Sequence, residues 1–162
     1  LPTAPLREAL TVAGFERVAT YINSGNAVLA THLGVDEVVA RVAEICKQRF
    51  DFAKAVYAIP LEIWEEQIIA ANPFPTKTEP GNLLHAAWLA EQPSATNLAA
   101  LRALAVDGDL FEVVGNVAYF HTPGGFSRSA LALRFDRGIA VANTARNWNT
   151  VLKLRDLAQK AA

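Results

Sequence analysis

Three polar groupings in this chain carry the residue types that hold or transform a small molecule. The first is Asn143, Thr144, Arg146, Asn147, Asn149 and Thr150, crowded where the last helix should begin. The second is Gly124, Gly125, Ser127, Arg128 and Ser129. A helix start presents unpaired N–H groups and partial positive charge, so a small polar cap with an arginine nearby makes an anion site. On this reading Thr144, Arg146 and Asn147 form one site, and Arg128 with Ser129 forms another at the opposite end of the domain. The plainer account makes Ser127 and Thr144 ordinary caps and puts both arginines in surface ion pairs. The third grouping is the turn Asn23, Ser24, Gly25, Asn26, whose amides, with Tyr21 beside them, can recognise a ligand by hydrogen bonds. Turn chemistry by itself accounts for Gly25 and one asparagine.

Catalytic patterns are sparse. His32, His85 and His121 are scattered without H-x-x-x-H or C-x-x-C spacing, which argues against a zinc site, and neither metal nor cofactor is expected. His121 lies beside the glycine-rich loop and can act as a general base. Glu62, Glu65 and Glu66 fall on the solvent side of a helix. G-x-S-x-G, P-loop and dinucleotide fingerprints are absent, so no residue is assigned as catalytic.

The chain that positions these groups has 162 residues, enough to bury roughly two-thirds of its unfolded surface. Hydrophobic residues make up 52% and charged residues 19%, which is globular rather than disordered composition. A formal net charge of -1 supplies no general field for nucleic acid or an anionic membrane. Nucleic acid and membrane are therefore not expected as partners, and any phosphate binding must be local. The single cysteine, Cys46, sits on an apolar helix face with Val38, Val42 and Ile45, which reads as a core thiol in a reducing cytoplasm. No apolar run reaches the roughly twenty residues of a membrane span. Methionine is absent even at position 1, so the native start, and with it the opening element of the fold, is expected upstream.

Hydrophobic periodicity orders the elements. Leu6, Ala9, Leu10 and Ala13 mark a helix capped by Thr3 and stopped by Gly14. Residues 17–22 and 27–30 read as a β-hairpin, 35–50 as the best helix, 53–59 as a strand, and Pro60 opens a helix bearing Leu61, Trp64 and Ile68. Three prolines and a glycine make 72–82 a linker. Beyond it come an apolar strand over 83–90, a helix capped by Ser94, strands 110–114 and 117–121, a helix capped by Ser127 and ended by Gly138, a strand over 139–142, and the Trp148 helix. The expected class is α+β, with halves at 1–71 and 83–162. Each half would be a ferredoxin-like β-α-β-β-α-β subdomain, the first lacking its opening strand, with a C-terminal helix closing the chain.

The stretches L-R-E-A-L at 6–10 with G-F at 14–15, T-Y-I-N-S-G-N at 20–26, A-N-P-F-P at 71–75, G-F-S-R-S at 125–129 and T-A-R-N-W-N-T-V-L-K-L at 144–154 resemble the uncharacterised bacterial family catalogued as domain of unknown function 1697. The resemblance implies two ferredoxin-like subdomains and no established activity. Members typically begin with a strand and an R-G-I-N-V-G-G stretch just upstream of Leu1. Many carry lysine where this chain has Ala130, so a charge suited to an anion is missing here.

The leading expectation is a cytoplasmic protein binding a small anionic or polar ligand near the Thr144–Thr150 helix start. The alternatives are an enzyme acting on a phosphate-bearing or nucleotide-like substrate through Tyr21, His121, Arg128 or Arg146, and an RNA-binding or protein-interaction module using Phe111, Tyr119 and Phe120. Self-association into a homo-oligomer is open under each.

Overall fold

A computed structural model describes residues 1–22 and 25–162. The chain divides into two compact units, Leu1–Trp64 with Lys153–Ala162, and Glu65–Leu152. The proline-rich stretch 72–82 falls inside the second unit.

In the first unit, helix α1 (Thr3–Val12) buries Leu6, Ala9 and Leu10, which recur at helical spacing. Thr3 does not cap it, contrary to the sequence expectation. Pro2 has the extended backbone that an N-cap position requires, so Thr3 is already helical and its carbonyl accepts from Thr20 Oγ1 at 3.0 Å. Strands β1 (Glu16–Tyr21) and β2 (Asn26–Ala30) form the expected antiparallel hairpin, with a bulge between Glu16 and Ala19. Helix α2 (Val35–Phe50) ends on Asp51 in left-handed conformation, where Phe52 N–H reaches back to the Cys46 carbonyl at 3.1 Å. Leu6, Leu10, Phe15, Val38 and Cys46 make the core. Burial pushes the Cys46 thiol up, consistent with a packing role. Residues 53–59 do not form the expected strand. Their β-forming residues give an extended segment, but a strand requires a ladder, and the described part of this unit pairs only β1 with β2.

A short helical turn, α3 (Leu61–Ile63), leads into a π-helical turn over Trp64–Ile69, closed by Ala70 N–H on the Glu65 carbonyl at 2.8 Å. The second unit then supplies β3 (Leu84–Leu89), α4 (Ala95–Ala103), β4 (Leu110–Val114), β5 (Val117–His121), α5 (Ala130–Ile139) and β6 (Asn143–Asn147). Its sheet has the order β4-β5-β3-β6, every neighbour antiparallel. The near-continuous apolar run of β3 suits its place between two strands. Ala87, Leu89, Phe111, Ala118 and Phe120 project from one face into a core with Leu101, Leu131, Phe135 and Ile139 from α4 and α5. On the other face Tyr119 is fully buried, and its hydroxyl donates to the Ile68 carbonyl at 2.6 Å.

The structure differs locally from the sequence expectation at three places. Ser129, not Ser127, caps α5, because its extended backbone lets its hydroxyl accept from Ala132 N–H at 3.0 Å while Ser127 is inside a 3-10 turn (Phe126–Arg128). Gly138 lies within α5 rather than ending it; Ala140, at φ 57, makes the stop. The last strand is the polar run Asn143–Asn147 rather than 139–142, and α6 (Trp148–Ala161) starts directly after it. An edge strand buries only part of its surface, so polar side chains are tolerated there, and pairing with β3 decides the assignment.

Candidate functional site

Both β5 and β6 are antiparallel to β3, so they run in the same direction and finish at the same end of the sheet. The register fixes this end: His85 of β3 pairs with Phe120 on one side and Asn147 on the other. Helices α5 and α6 follow β5 and β6, so their starts share this end. The expectation that they lie at opposite ends is therefore wrong. It took the third and fourth strands of the unit as antiparallel, whereas a strand seated between them makes them parallel.

The polar groups at this end are not used alike. The Ser129 hydroxyl is committed twice, accepting from Ala132 N–H and donating to Asp109 Oδ2 at 2.7 Å. A carboxylate thus already stands near the positive end of α5. Arg128 is exposed in the 3-10 turn. Asn147 points its carboxamide oxygen to Thr150 N–H at 3.0 Å and serves as the cap of α6, a role the sequence suggested for Thr144. Thr144 and Arg146 lie on the strand, not in the first helical turn, so the helix-start mechanism does not apply to them. Arg146 shares a cross-strand row with Ala86, Tyr119 and Glu112. It is partly buried, burial pushes its guanidinium pKa down, and Nη1 donates to the Ala145 carbonyl at 2.8 Å. Tyr21 and Asn26 belong to the first unit, where Asn26 Nδ2 donates to the Tyr21 carbonyl at 3.0 Å and closes the hairpin. Asn23 and Ser24 lie outside the described residues.

His85 Nδ1, His121 Nδ1 and Thr122 Oγ1 are buried and have no hydrogen-bond partner among the described residues. Leaving a buried polar group unsatisfied costs about 1–3 kcal/mol, so three cost roughly 3–9 kcal/mol. That is comparable with the whole stability of a small domain, about 5–15 kcal/mol. Thr122 is fully buried, and its N–H donates to the Leu83 carbonyl at 3.0 Å, extending the ladder one step past β5. Thr122 and His85 are therefore diagonal neighbours on the face that carries Phe120, within about 8 Å of each other. His121 points to the opposite face.

The surroundings of His85 are aromatic. Its ring stacks on Phe120 at 4.9 Å with an interplanar angle of 5°, and Phe126 tilts against it at 5.1 Å. Burial lowers its pKa to about 4, so the imidazole is neutral at physiological pH. Burial also lowers His121, with the Lys77 ammonium adding to the effect and the Asp109 carboxylate opposing it. Phe126 is itself 42% exposed and follows Gly125, whose φ of 99 is one that other residues rarely adopt. Gly125 N–H closes the turn on the Thr122 carbonyl at 3.0 Å.

Sequence reasoning missed His85 and Thr122. A lone histidine inside the run L-L-H-A-A-W-L was a usable signal for the first; nothing local marks the second. Phe111, Tyr119 and Phe120 are buried, which takes them out of reach of a stacking nucleobase. Among the described residues no three His, Cys, Asp or Glu side chains gather as metal ligands would, and no helix is long and apolar enough to cross a membrane.

A family model described as "Protein of unknown function (DUF1697)" matches residues 1–119. The match includes His85 and ends before Thr122 and the stretch at 144–154. A solved structure described as a conserved bacterial protein from Streptococcus pneumoniae is similar, with a TM-score of 0.72 and 19% identity, over 96% of this chain and 87% of that one. At that identity the likeness speaks to fold alone. No curated protein matches.

Proposed function

The chain belongs to the DUF1697 family, whose description supplies no activity, and from the geometry we propose that it binds a small, polar, uncharged molecule where β5 and β6 finish. The observation that carries this reading is the pair His85 Nδ1 and Thr122 Oγ1, buried without a partner among the described residues and set on one face of the sheet by the register. Together they offer a hydroxyl that can donate and accept and an imidazole nitrogen whose role follows its tautomer. An amide, a hydroxylated compound or a nitrogen heterocycle fits this pattern. An anion fits less well, because His85 is neutral and Asp109 already occupies the start of α5.

The two atoms are closed off in this state, so binding requires an opening, and the turn carrying Phe126 is the part that can give it. It is short, glycine-led and exposes its aromatic ring. In the same reading the second unit is a ferredoxin-like plait, supported by its β-α-β-β-α-β element order with the first and third strands inside. The first unit is an incomplete counterpart, and the protein is cytoplasmic.

Native mass spectrometry of the full chain tests the proposal. A small-molecule adduct should accompany the wild type and be absent from His85→Phe, which keeps the stack on Phe120. A bare wild-type mass that no uncharged polar metabolite in a thermal-shift panel stabilises would remove the support for this function.

A further inference from the structure

A hollow independent of the end-of-sheet site lies wholly within the first unit. It has a volume of about 330 Å³ and is bounded by the turn after α1 and the loop between β2 and α2, with Gly14, Arg17, Thr31, His32, Leu33 and Arg41 among its lining residues. We propose that this hollow is a binding site for a phosphate-bearing or polycarboxylate ligand, gripped by the guanidinium groups of Arg17 and Arg41.

The backbone at Arg17 is unusual. It has φ 49, in the left-handed region, at the bulge that interrupts β1 between Glu16 and Ala19. A bulge re-aims a side chain, and a non-glycine residue held in that region costs about 1–3 kcal/mol, a strain that clusters at binding sites. The bulge also lets Phe15 and Val18, three residues apart, both reach the core while Arg17 stays exposed. The guanidinium is then oriented by a 2.6 Å bond from Nε to the Ala161 carbonyl, within the same unit. Of its terminal nitrogens, Nη1 lies 3.6 Å from Glu16 Oε2 and both stay on the exposed side of the strand.

The charges around the hollow are only loosely paired. Arg17 lies 3.6 Å from Glu16, and Arg41 lies 3.2 Å from Glu37, but all four side chains are about half exposed or more. Such pairs contribute little, about 0–1 kcal/mol, so a dianion that meets both arginines at once can displace the carboxylates. His32 and Thr31 also line the hollow; the Thr31 hydroxyl accepts from Leu33 N–H at 3.1 Å and keeps its own proton to donate. Glu16 is the opposing charge and confines the site to ligands carrying at least two negative charges.

The test uses inorganic pyrophosphate and citrate as probes, titrated into the full chain at low ionic strength and followed by amide chemical shifts. Saturable shifts are expected at Gly14, Thr31 and His32, with affinity falling as salt rises. Arg17→Gly removes the guanidinium while suiting the positive φ, so it should fold and bind about tenfold more weakly. Arg41→Gln, on an exposed helix position, should do the same. Shifts that do not saturate, or affinity unchanged in both variants, would overturn the proposal. His85→Phe should leave these shifts intact, which keeps this outcome separate from the fate of the site in the second unit.

Discussion

Replacing Thr122 by valine should stabilise the protein and abolish ligand binding together. The side chain is fully buried, its Oγ1 has no partner among the described residues, and valine reproduces its shape. Both backbone bonds of residue 122, to the Leu83 carbonyl and from Gly125 N–H, survive the change. Removing an unsatisfied buried hydroxyl returns its desolvation penalty, so a gain of about 1–2 kcal/mol is expected. For a chain of this size that raises Tm by about 2–6 °C. Urea denaturation with an unchanged m-value gives the free energy directly. Thr122→Ser is the control: it keeps the hydroxyl and loses a methyl group, so it should lose stability by about 1 kcal/mol and retain binding. A Thr122→Val protein less stable than wild type by 1 kcal/mol or more would show the hydroxyl satisfied by an enclosed water, and the reasoning would fail.

Other perturbations follow from the same geometry. His85 has its pKa lowered from 6.5 to about 4, so between those values the unfolded chain binds a proton that the folded chain refuses. Stability should therefore fall as pH drops from 6.5 to 4, by roughly 3 kcal/mol from this residue, and His85→Phe should flatten that part of a denaturation-midpoint profile. An equally steep profile in the variant would assign the loss to other groups. Gly138→Ala would gain about 1 kcal/mol of helix propensity in an open position, but a Cβ there meets Leu101 Cδ2 at 2.8 Å. Overpacking costs about 1–3 kcal/mol, so thermal melts should show a net loss. Arg146→Ala should cost about 1–3 kcal/mol, because the guanidinium is partly buried on the sheet and its stem packs there. An unchanged midpoint would contradict a packing role for this side chain.

Where apolar spacing is strong the sequence was sufficient. The bounds of α2, the β1–β2 hairpin and the central β3 all follow from periodicity and turn residues, because their packing partners select the same residues that the pattern marks. The polar run Asn143–Asn147 shows the limit. It has neither an apolar alternation nor a helical stripe, and only the open edge of β3 makes it a strand. Residues 53–59 fail in the opposite way, with good β-formers but no ladder. The candidate site was half visible: Ser129 and Asn147 were noticed for their polarity, yet both proved to be helix caps. One histidine in an apolar strand reads as packing, and His85 stands out only once its ring nitrogen is found without a partner among the described residues.

The most direct measurement is an NMR titration of the full chain with a panel of uncharged amides and nitrogen heterocycles, observing the His85 ring nitrogens and the amides of Thr122, Gly125 and Phe126. One or more compounds should produce saturable changes at all four residues, and Thr122→Val should remove them. A long-lived water resonance at Thr122, with no response to any compound, would contradict the claim that these buried atoms are kept for a ligand.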